Sequence, residues 1–341
     1  MSLMPAHAVT SAVARAVVLL SRGDVELSMF RSQSKTRFSR FKGLMLLSAT
    51  GALAAPLSQA STGLVSPFFW LIDLAAHWQW LYLLVGALAA VVLLVRRQWM
   101  FALVGCSAIA FGWFSASPAA DSATLGIDPI LTVVSANIHV DNNDLEALHR
   151  WVKHLHADIV VIQEVSPPAA EKLESWHDYP HRQISPDYGP FGMAVLSRLP
   201  FAEVEAIESQ GQTLRYRAVL LWGGKPMALS AIHPMPPISS DFHDRRAEMF
   251  AEEAGRLGVL DIPGMIVGDL NATPWSTAMR VLDSAGLRRA TSLSPSWPAV
   301  LPAIPVDHVV VSRDWRVVRS GVGPDVGSDH RPVFAVVILP G

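Results

Sequence analysis

Between Gly43 and Ala120 the chain carries only three charged residues, Asp73, Arg96 and Arg97, in 78 positions. A soluble domain is about a quarter charged, so a tract of this kind belongs in an interior, either a protein core or a bilayer. Three apolar stretches within it, 44–60, 78–95 and 99–117, approach the roughly 20 residues that a helix needs to cross a bilayer core. The second opens on Trp78, Trp80 and Tyr82 and closes on Arg96 and Arg97, an aromatic belt at one interface and a positive stop at the other. Residues 64–77, with Pro67 and Asp73, read as a connecting or interfacial segment.

Sidedness follows from the basic residues. Arg31, Lys35, Arg37, Arg40 and Lys42 precede the first stretch, Arg96 and Arg97 separate the second from the third, and residues 61–77 contain neither Lys nor Arg. The positive-inside rule then places the N-terminus in the cytoplasm of a bacterial-type plasma membrane and everything after Ser117 on the outer face. If 44–60 does not span, the C-terminal region falls in the cytoplasm instead. Residues 1–42 read as a basic tail, disordered or an extension ahead of Met29 or Met45 as the start. A cleaved signal peptide fits poorly, because the apolar character begins late and recurs.

The chain of 341 residues has a formal net charge of −2, which conceals an asymmetry. Residues 1–120 hold 9 Lys and Arg against 3 Asp and Glu, whereas residues 121–341 hold 18 against 26. A basic, apolar front therefore precedes an acidic, soluble back. The single cysteine, Cys106, excludes an intrachain disulfide framework, and 51% hydrophobic residues exclude a disordered chain.

From about residue 127 the pattern becomes short β-branched runs alternating with amphipathic stretches. Strands are expected at 130–138, 158–165, 193–197, 215–222, 227–233, 265–269, 306–312 and 333–338, and helices at 144–156, 240–255 and 276–285. Gly223-Gly224 marks a hairpin. Residues 121–341 thus read as one α/β domain of two packed sheets.

Polar residues recur where these strands stop, which is where α/β sheets place ligand sites. Asn137 ends the first strand, Gln163-Glu164 the second, and His233-Pro234 a later one. Gly268-Asp269-Leu270-Asn271-Ala272 follows an apolar run, Asp307-His308 opens a Val-rich strand, and Ser328-Asp329-His330-Arg331-Pro332 precedes the last. Each alone suits a turn, a helix cap or a solvated strand end. Together they suit phosphate-ester hydrolysis, which needs a hard cation with oxygen ligands, a positioned water and groups that meet negative charge on phosphate. No closely spaced His and Cys cluster suggests zinc, and neither a Gly-x-Ser-x-Gly elbow nor a phosphate-binding P-loop is present.

These elements, together with Ser197-Arg198-Leu199-Pro200, resemble the endonuclease/exonuclease/phosphatase (DNase I-like) superfamily over residues 128–339, in order and spacing. The resemblance implies a four-layer α/β sandwich, here preceded by a bundle of about three transmembrane helices. It implies Mg²⁺, with Mn²⁺ as a substitute, held by Glu164 with Asn137 and Asp329 near the metal. It implies that Asp269 orients and deprotonates the attacking water and that Asn271 holds that water or a phosphate oxygen. His233, and His330 oriented by Asp307, would hydrogen-bond the phosphoryl oxygens. The expected partners are the lipid bilayer and a phosphoester: a lipid head group, a soluble ester or nucleic acid. The acidic domain disfavours nucleic acid, whose binding depends on Lys and Arg, although Arg182, Arg245, Arg246, Arg288 and Arg289 offer a candidate basic patch. Nor is there a Tyr-x-Gly-Arg element of the DNA-repair kind; Tyr188-Gly189-Pro190 departs from it. The alternative reading is a catalytically silent domain that docks a partner on the same surface.

Overall fold

The computed structural model describes residues 40–60, 69–124, 126, 129–209 and 212–340; the expected basic tail thus falls almost wholly outside the described residues, as does part of the connecting segment. Four helices open the described chain: α1 (Arg40–Ala60), α2 (Phe69–Ala76), α3 (Gln79–Val95) and α4 (Trp99–Trp113). Small residues let them approach closely, as they do between helices in lipid. A Cβ added at Gly112 would lie 2.2 Å from the Ala52 carbonyl oxygen, and one at Gly105 would lie 2.3 Å from Met45 Sδ. Met45, Ala49, Ala52, Ala89, Leu93, Ala102 and Ile109 form the shared interior, while Leu47, Leu84, Leu88, Val91, Leu103, Val104 and Phe111 face outward.

The expectation of three full spans is revised. By length and composition α1 alone is long and apolar enough to cross a bilayer, and α2 with α3 would add one more if taken as a single span bent by 63°. α4 has 15 residues, because the chain after Trp113 leaves the helix to pair with the C-terminal domain, where the Ser117 N–H donates to the Pro274 carbonyl. Arg40 and Lys42 begin α1, and Arg96 and Arg97 lie in the turn between α3 and α4.

The remaining described residues form two six-stranded mixed sheets. The first has the order β11 (Arg316–Val322), β12 (Val333–Ile338), β1 (Ile130–Asn137), β2 (Ile159–Gln163), β4 (Met193–Ser197), β3 (His181–Ser185). The second runs β5 (Phe201–Ile207), β6 (Arg215–Trp222), β7 (Lys225–Ala231), β8 (Gly264–Asp269), β10 (Asp307–Val311), β9 (Arg288–Arg289). Alternate side chains of both sheets, including Leu131, Val133, Val161, Val195, Leu229, Val267 and Val309, meet in a core between them. The opposite faces are covered by α5 (Glu146–Leu155) and α6 (Pro167–Glu174) on the first sheet and by α7 (Ser240–Leu260) and α8 (Thr277–Ser284) on the second. Four layers result, as a pair of sheets each apolar on both faces requires.

The helical region is fastened to this sandwich chiefly at the segment between β8 and α8, with further contacts from α7, α8 and the β9–β10 connection. Trp275 is wholly buried among Ala54, Ala55 and Ala76. Its ring centroid lies 5.0 Å from that of Trp113, which in turn lies 4.8 Å from Trp80. The Trp275 indole N–H donates to the Trp113 carbonyl and the Trp80 indole N–H to that of Leu293, both at 2.8 Å. Asp73, the single charge on α2, is buried beneath. Its carboxylate accepts from Arg246 Nη2 at 3.1 Å, Ser276 Oγ at 3.0 Å and the Thr277 backbone N–H at 2.6 Å, with His243 Nε2 3.3 Å away. Asp73 and Arg246 are charges that burial makes costly unless each holds the other.

Removing one partner leaves the other stranded. Asp73→Ala is expected to lower stability by about 3–5 kcal/mol in thermal unfolding of the full chain in detergent, and combining Asp73→Leu with Arg246→Met should restore most of the loss. A single-variant cost below about 1 kcal/mol would show that the pair does not secure this junction.

Candidate active site

The register of the sheets assembles the candidate residues. β8 and β10 are antiparallel with Asp269 opposite Asp307, and β1 and β2 are parallel with Asn137 opposite Gln163. The C-terminal ends of β1, β2 and β8 therefore meet the N-terminal ends of β10 and β12. Immediately beyond β2 and β8 the backbone turns through the left-handed region, at Glu164 (φ 61°) and Asn271 (φ 46°). Asn tolerates this conformation, whereas for Glu it is uncommon. Glu164 is held there by two donors: the Asn137 amide nitrogen at 2.9 Å from Oε1 and the Val140 backbone N–H at 3.0 Å from Oε2. Gly268 admits no side chain, since an added Cβ would lie 1.8 Å from the Ile232 carbonyl oxygen.

Asp269 is the centre of the arrangement and is buried. Three groups from three segments converge on Oδ2: the Asn137 amide nitrogen at 3.2 Å, His233 Nε2 at 3.6 Å and His330 Nε2 at 3.7 Å. Oδ1 accepts the Asn271 backbone N–H at 2.9 Å. Burial opposes the carboxylate's charge, but His330, His233 and the Asn271 N–H outweigh it and hold Asp269 well below the usual carboxylate range. His330 Nδ1 lies 2.9 Å from Asp307 Oδ2. Burial disfavours its charge too, yet Asp307 and Asp269 beside it push its pKa up to about 10, so the imidazole is a cation at neutral pH. His233 is likewise raised, burial being outweighed by the bond to Asp269. Asn271 donates from its side chain to the Pro234 carbonyl at 2.9 Å, joining the β8 loop to the segment after His233.

Among the expected metal ligands, the structure joins Glu164 and Asn137 but gives them unlike parts. Asn137 turns its amide nitrogen to Glu164 and Asp269, and its oxygen accepts the His139 N–H at 3.0 Å, so in this arrangement it bridges two carboxylates rather than offering an oxygen ligand. Asp329 is exposed, and Oδ2 accepts the Trp297 indole N–H at 3.1 Å; it adds negative field at His330 and makes no bond to Glu164 or Asn137 among the described residues. Asp269, Asp307 and His330 each offer one ligand atom within 4.8 Å of one another, but the Asp307–His330 hydrogen bond occupies the facing atoms of that pair. Glu164 is half-buried, and each of its oxygens accepts one bond within the protein, leaving both with further lone pairs. Carboxylates with an adjoining amide suit a hard divalent cation.

Two residues quoted in the sequence motifs without a role turn out to support the site. Ser328 Oγ donates to the Asn137 carbonyl at 2.8 Å and accepts the His330 N–H at 3.0 Å, fixing the last loop to the first strand. His308, adjacent to Asp307, is wholly buried, with Nε2 3.1 Å from the Ala272 carbonyl and Nδ1 2.9 Å from Thr291 Oγ1. It ties Ala272, in the loop after Asp269, to β10. Of the five arginines of the candidate basic patch, Arg182, Arg245 and Arg288 are partly exposed, whereas two are withdrawn from the surface. Arg246 and Arg289 are buried, Arg246 bonded to the Asn271 carbonyl as well as to Asp73, and Arg289 to the carbonyls of Thr291 and Ser117. A guanidinium beside apolar sequence reads as solvated; only its tertiary partners reveal otherwise.

Residues 134–330 match the model of the endonuclease/exonuclease/phosphatase family, and the chain belongs to that family. Its fold is similar to a truncated TDP2 of Caenorhabditis elegans (16% identity, 61% of this chain and 97% of that one, TM-score 0.50). It is similar also to a mannosyl-6-phosphatase of Bacteroides thetaiotaomicron (17%, 61% and 99%, TM-score 0.53). A third likeness is to an endonuclease/exonuclease/phosphatase protein of Beutenbergia cavernae (19%, 62% and 72%, TM-score 0.51). Identities this low carry the fold alone. No curated protein matches the chain.

Two measurements probe this scaffold. Burial, with Arg289 nearby, pushes the His308 pKa down to about 4, against roughly 6.5 when unfolded. The unfolded chain then binds the extra proton, so the stability of the folded state is fully present above pH ~6.5 and falls as pH drops toward 4, on the order of 3 kcal/mol in all. Replacing His308 with Gln should flatten that part of the acid limb in denaturant melts. Gly268→Ala should cost about 1–3 kcal/mol through overpacking against Ile232; an unchanged melting temperature would contradict the close approach of β8 to the segment after β7.

Proposed function

We propose that the chain is a membrane-anchored, Mg²⁺-dependent phosphoesterase with its catalytic domain on the outer face of the membrane. The observation that carries the enzymatic reading is the convergence of Asn137, His233 and His330 on the buried Asp269 beside Glu164 and Asn271. Enzymes of this family commonly use divalent metals. Glu164 would hold the ion, its carboxylate fixed by the Asn137 amide and the Val140 N–H. Bound there, it would supply Lewis acidity toward a phosphoryl oxygen and stabilise the negative charge that develops on it.

The chain's own groups supply the rest. Asp269, ionised and fixed by the Asn271 N–H, orients the attacking water and accepts its proton as the new P–O bond forms, while the ester P–O bond opposite the water breaks and the departing oxygen takes a proton from solvent. Cationic His330, kept in one tautomer by Asp307, and His233 donate to the phosphoryl oxygens as charge accumulates on them. Asn271 holds the loop that carries Asp269 against Pro234. The helical region favours the anchor: its large apolar side chains face outward, its contacts are made by small residues, and its basic residues lie in α1's first turn and the α3–α4 turn. With these turns in the cytoplasm, the junction at Trp275 and Asp73 falls at the outer surface.

With bis(p-nitrophenyl) phosphate and Mg²⁺ as the assay, Asp269→Ala in the full chain in detergent is expected to lower kcat by about 10²–10⁴-fold while the protein stays folded. Mg²⁺ or Mn²⁺ should raise the melting temperature of the wild type and not of Glu164→Gln. Equal activity of the wild type and Asp269→Ala would favour the docking-module reading. A C-terminal reporter active only in the cytoplasm would reverse the topology.

A further inference from the structure

We propose that the phosphoester taken by this site is the head group of a membrane lipid, reached at the bilayer surface where the apolar helices end. The inference rests on the phosphoesterase reading and adds to it the source of the substrate. Two independent observations carry it.

The first is how near the catalytic loop lies to the helical region. Asp269 bonds to the Asn271 N–H, the Asn271 carbonyl accepts from Arg246, and Arg246 pairs with Asp73 on α2. Three hydrogen bonds thus separate the reactive carboxylate from a helix that carries exposed Leu71 and Ile72. Four residues past Asn271, Trp275 is buried among the ends of α1, α2 and α4. A bilayer around these helices would therefore end close to the loop that carries Asp269.

The second is the rim of the site. Tyr188, Ile238, Val300 and Leu301 are 65–93% exposed, and Phe191 is 42% exposed. Each stands on a loop tied to a candidate catalytic residue. Tyr188 and Phe191 belong to the segment whose Gly192 carbonyl accepts the N–H of Val165, next to Glu164. Ile238 lies between His233 and the cap of α7, the helix that presents His243 and Arg246 to Asp73. Val300 and Leu301 lie in the loop whose Ala299 N–H donates to the Asp329 carbonyl, next to His330. The same connection holds Leu293, which accepts the Trp80 indole N–H. Exposed apolar side chains of this kind on a soluble face mark an interaction surface, and the helices joined to the same sandwich also expose apolar faces. Amphipathic and apolar rim residues seated at head-group depth are the usual means of working on lipid.

Beside His233 a cavity of about 680 Å³, lined in part by Phe191, Leu214, Met235, Phe242 and Arg245, offers room for the part of the substrate beyond the phosphate. Its apolar residues suit an acyl chain, and its charged residues are Asp187, Glu208, Asp241 and Arg245, the last paired with Asp241.

The test uses the full chain reconstituted in phosphatidylethanolamine vesicles. Phosphatidic acid and phosphatidylglycerol in those vesicles are compared with their water-soluble counterparts, glycerol phosphate and glycerophosphoglycerol, and with bis(p-nitrophenyl) phosphate as a common reference. At least one vesicle lipid is expected to exceed its soluble counterpart in kcat/KM by about tenfold or more, the worth of seating one large apolar side chain. The double variant Val300→Asp, Leu301→Asp should reduce that ratio by a similar factor. Hydrolysis of the reference with no vesicle lipid preferred, or a ratio untouched by the double variant, overturns the lipid assignment and leaves a soluble or protein-borne phosphoester in its place. Failure of the wild type on the reference as well as on every lipid would overturn the phosphoesterase reading itself.

Discussion

A buried carboxylate is tolerated only where the fold surrounds it with donors, and Asp269 imposes that condition on most of the sandwich. Its oxygens are met by an amide from the end of β1, an imidazole from beyond β7, a second imidazole from the loop before β12 and a backbone N–H from its own turn. Burial on this scale would otherwise drive the group to protonate. The parallel register of β1 with β2 and the antiparallel register of β8 with β10 are what bring these ends together. The donors that satisfy the charge are also groups that phosphate chemistry uses, so in this region stability and reactivity rest on the same contacts.

The loop carrying Asp269 is held from its other side as well. Arg246 grips the Asn271 carbonyl, His308 holds the Ala272 carbonyl, and Trp275 is lodged against Trp113. Fixed backbone on both sides of a reactive group limits how far it must be reorganised during reaction, which is the main electrostatic advantage of a preformed site.

How much of this was visible in the chain depended on whether a residue's surroundings are local. β4, β6 and β12 coincide with the strands read from sequence, because strands buried on both faces are written as continuous runs of β-formers. The strands that escaped were β3, β5, β9 and β11, and these are the four sheet edges. Phe201–Ile207 interleaves two glutamates with apolar residues, and Arg316–Val322 contains two arginines and a bulge between Val317 and Arg319; an edge with one side in water needs no apolar run. The candidate site was legible because carboxylates, amides and histidines sit at the ends of apolar strands. The Asp329 bond to the Trp297 indole is not encoded locally, and Arg246, which the sequence offers to a basic patch, is buried. Asp73 and Arg246 are 173 positions apart, a pairing that no local pattern encodes.

The fastening at Trp275 bears on how such a chain can change over generations. Many anchored enzymes join their two parts by a slack tether, so that either part can be exchanged by recombination without regard to the other. Here the residues that receive the helices, Pro274 to Thr277, lie within eight positions of the reactive aspartate. An insertion between them would move one end or the other, and a foreign helical region would arrive without an acid to meet Arg246 or a pocket for the indole. Helical region and sandwich are therefore expected to be inherited together, with the length of this loop held constant while the outward faces of the helices drift.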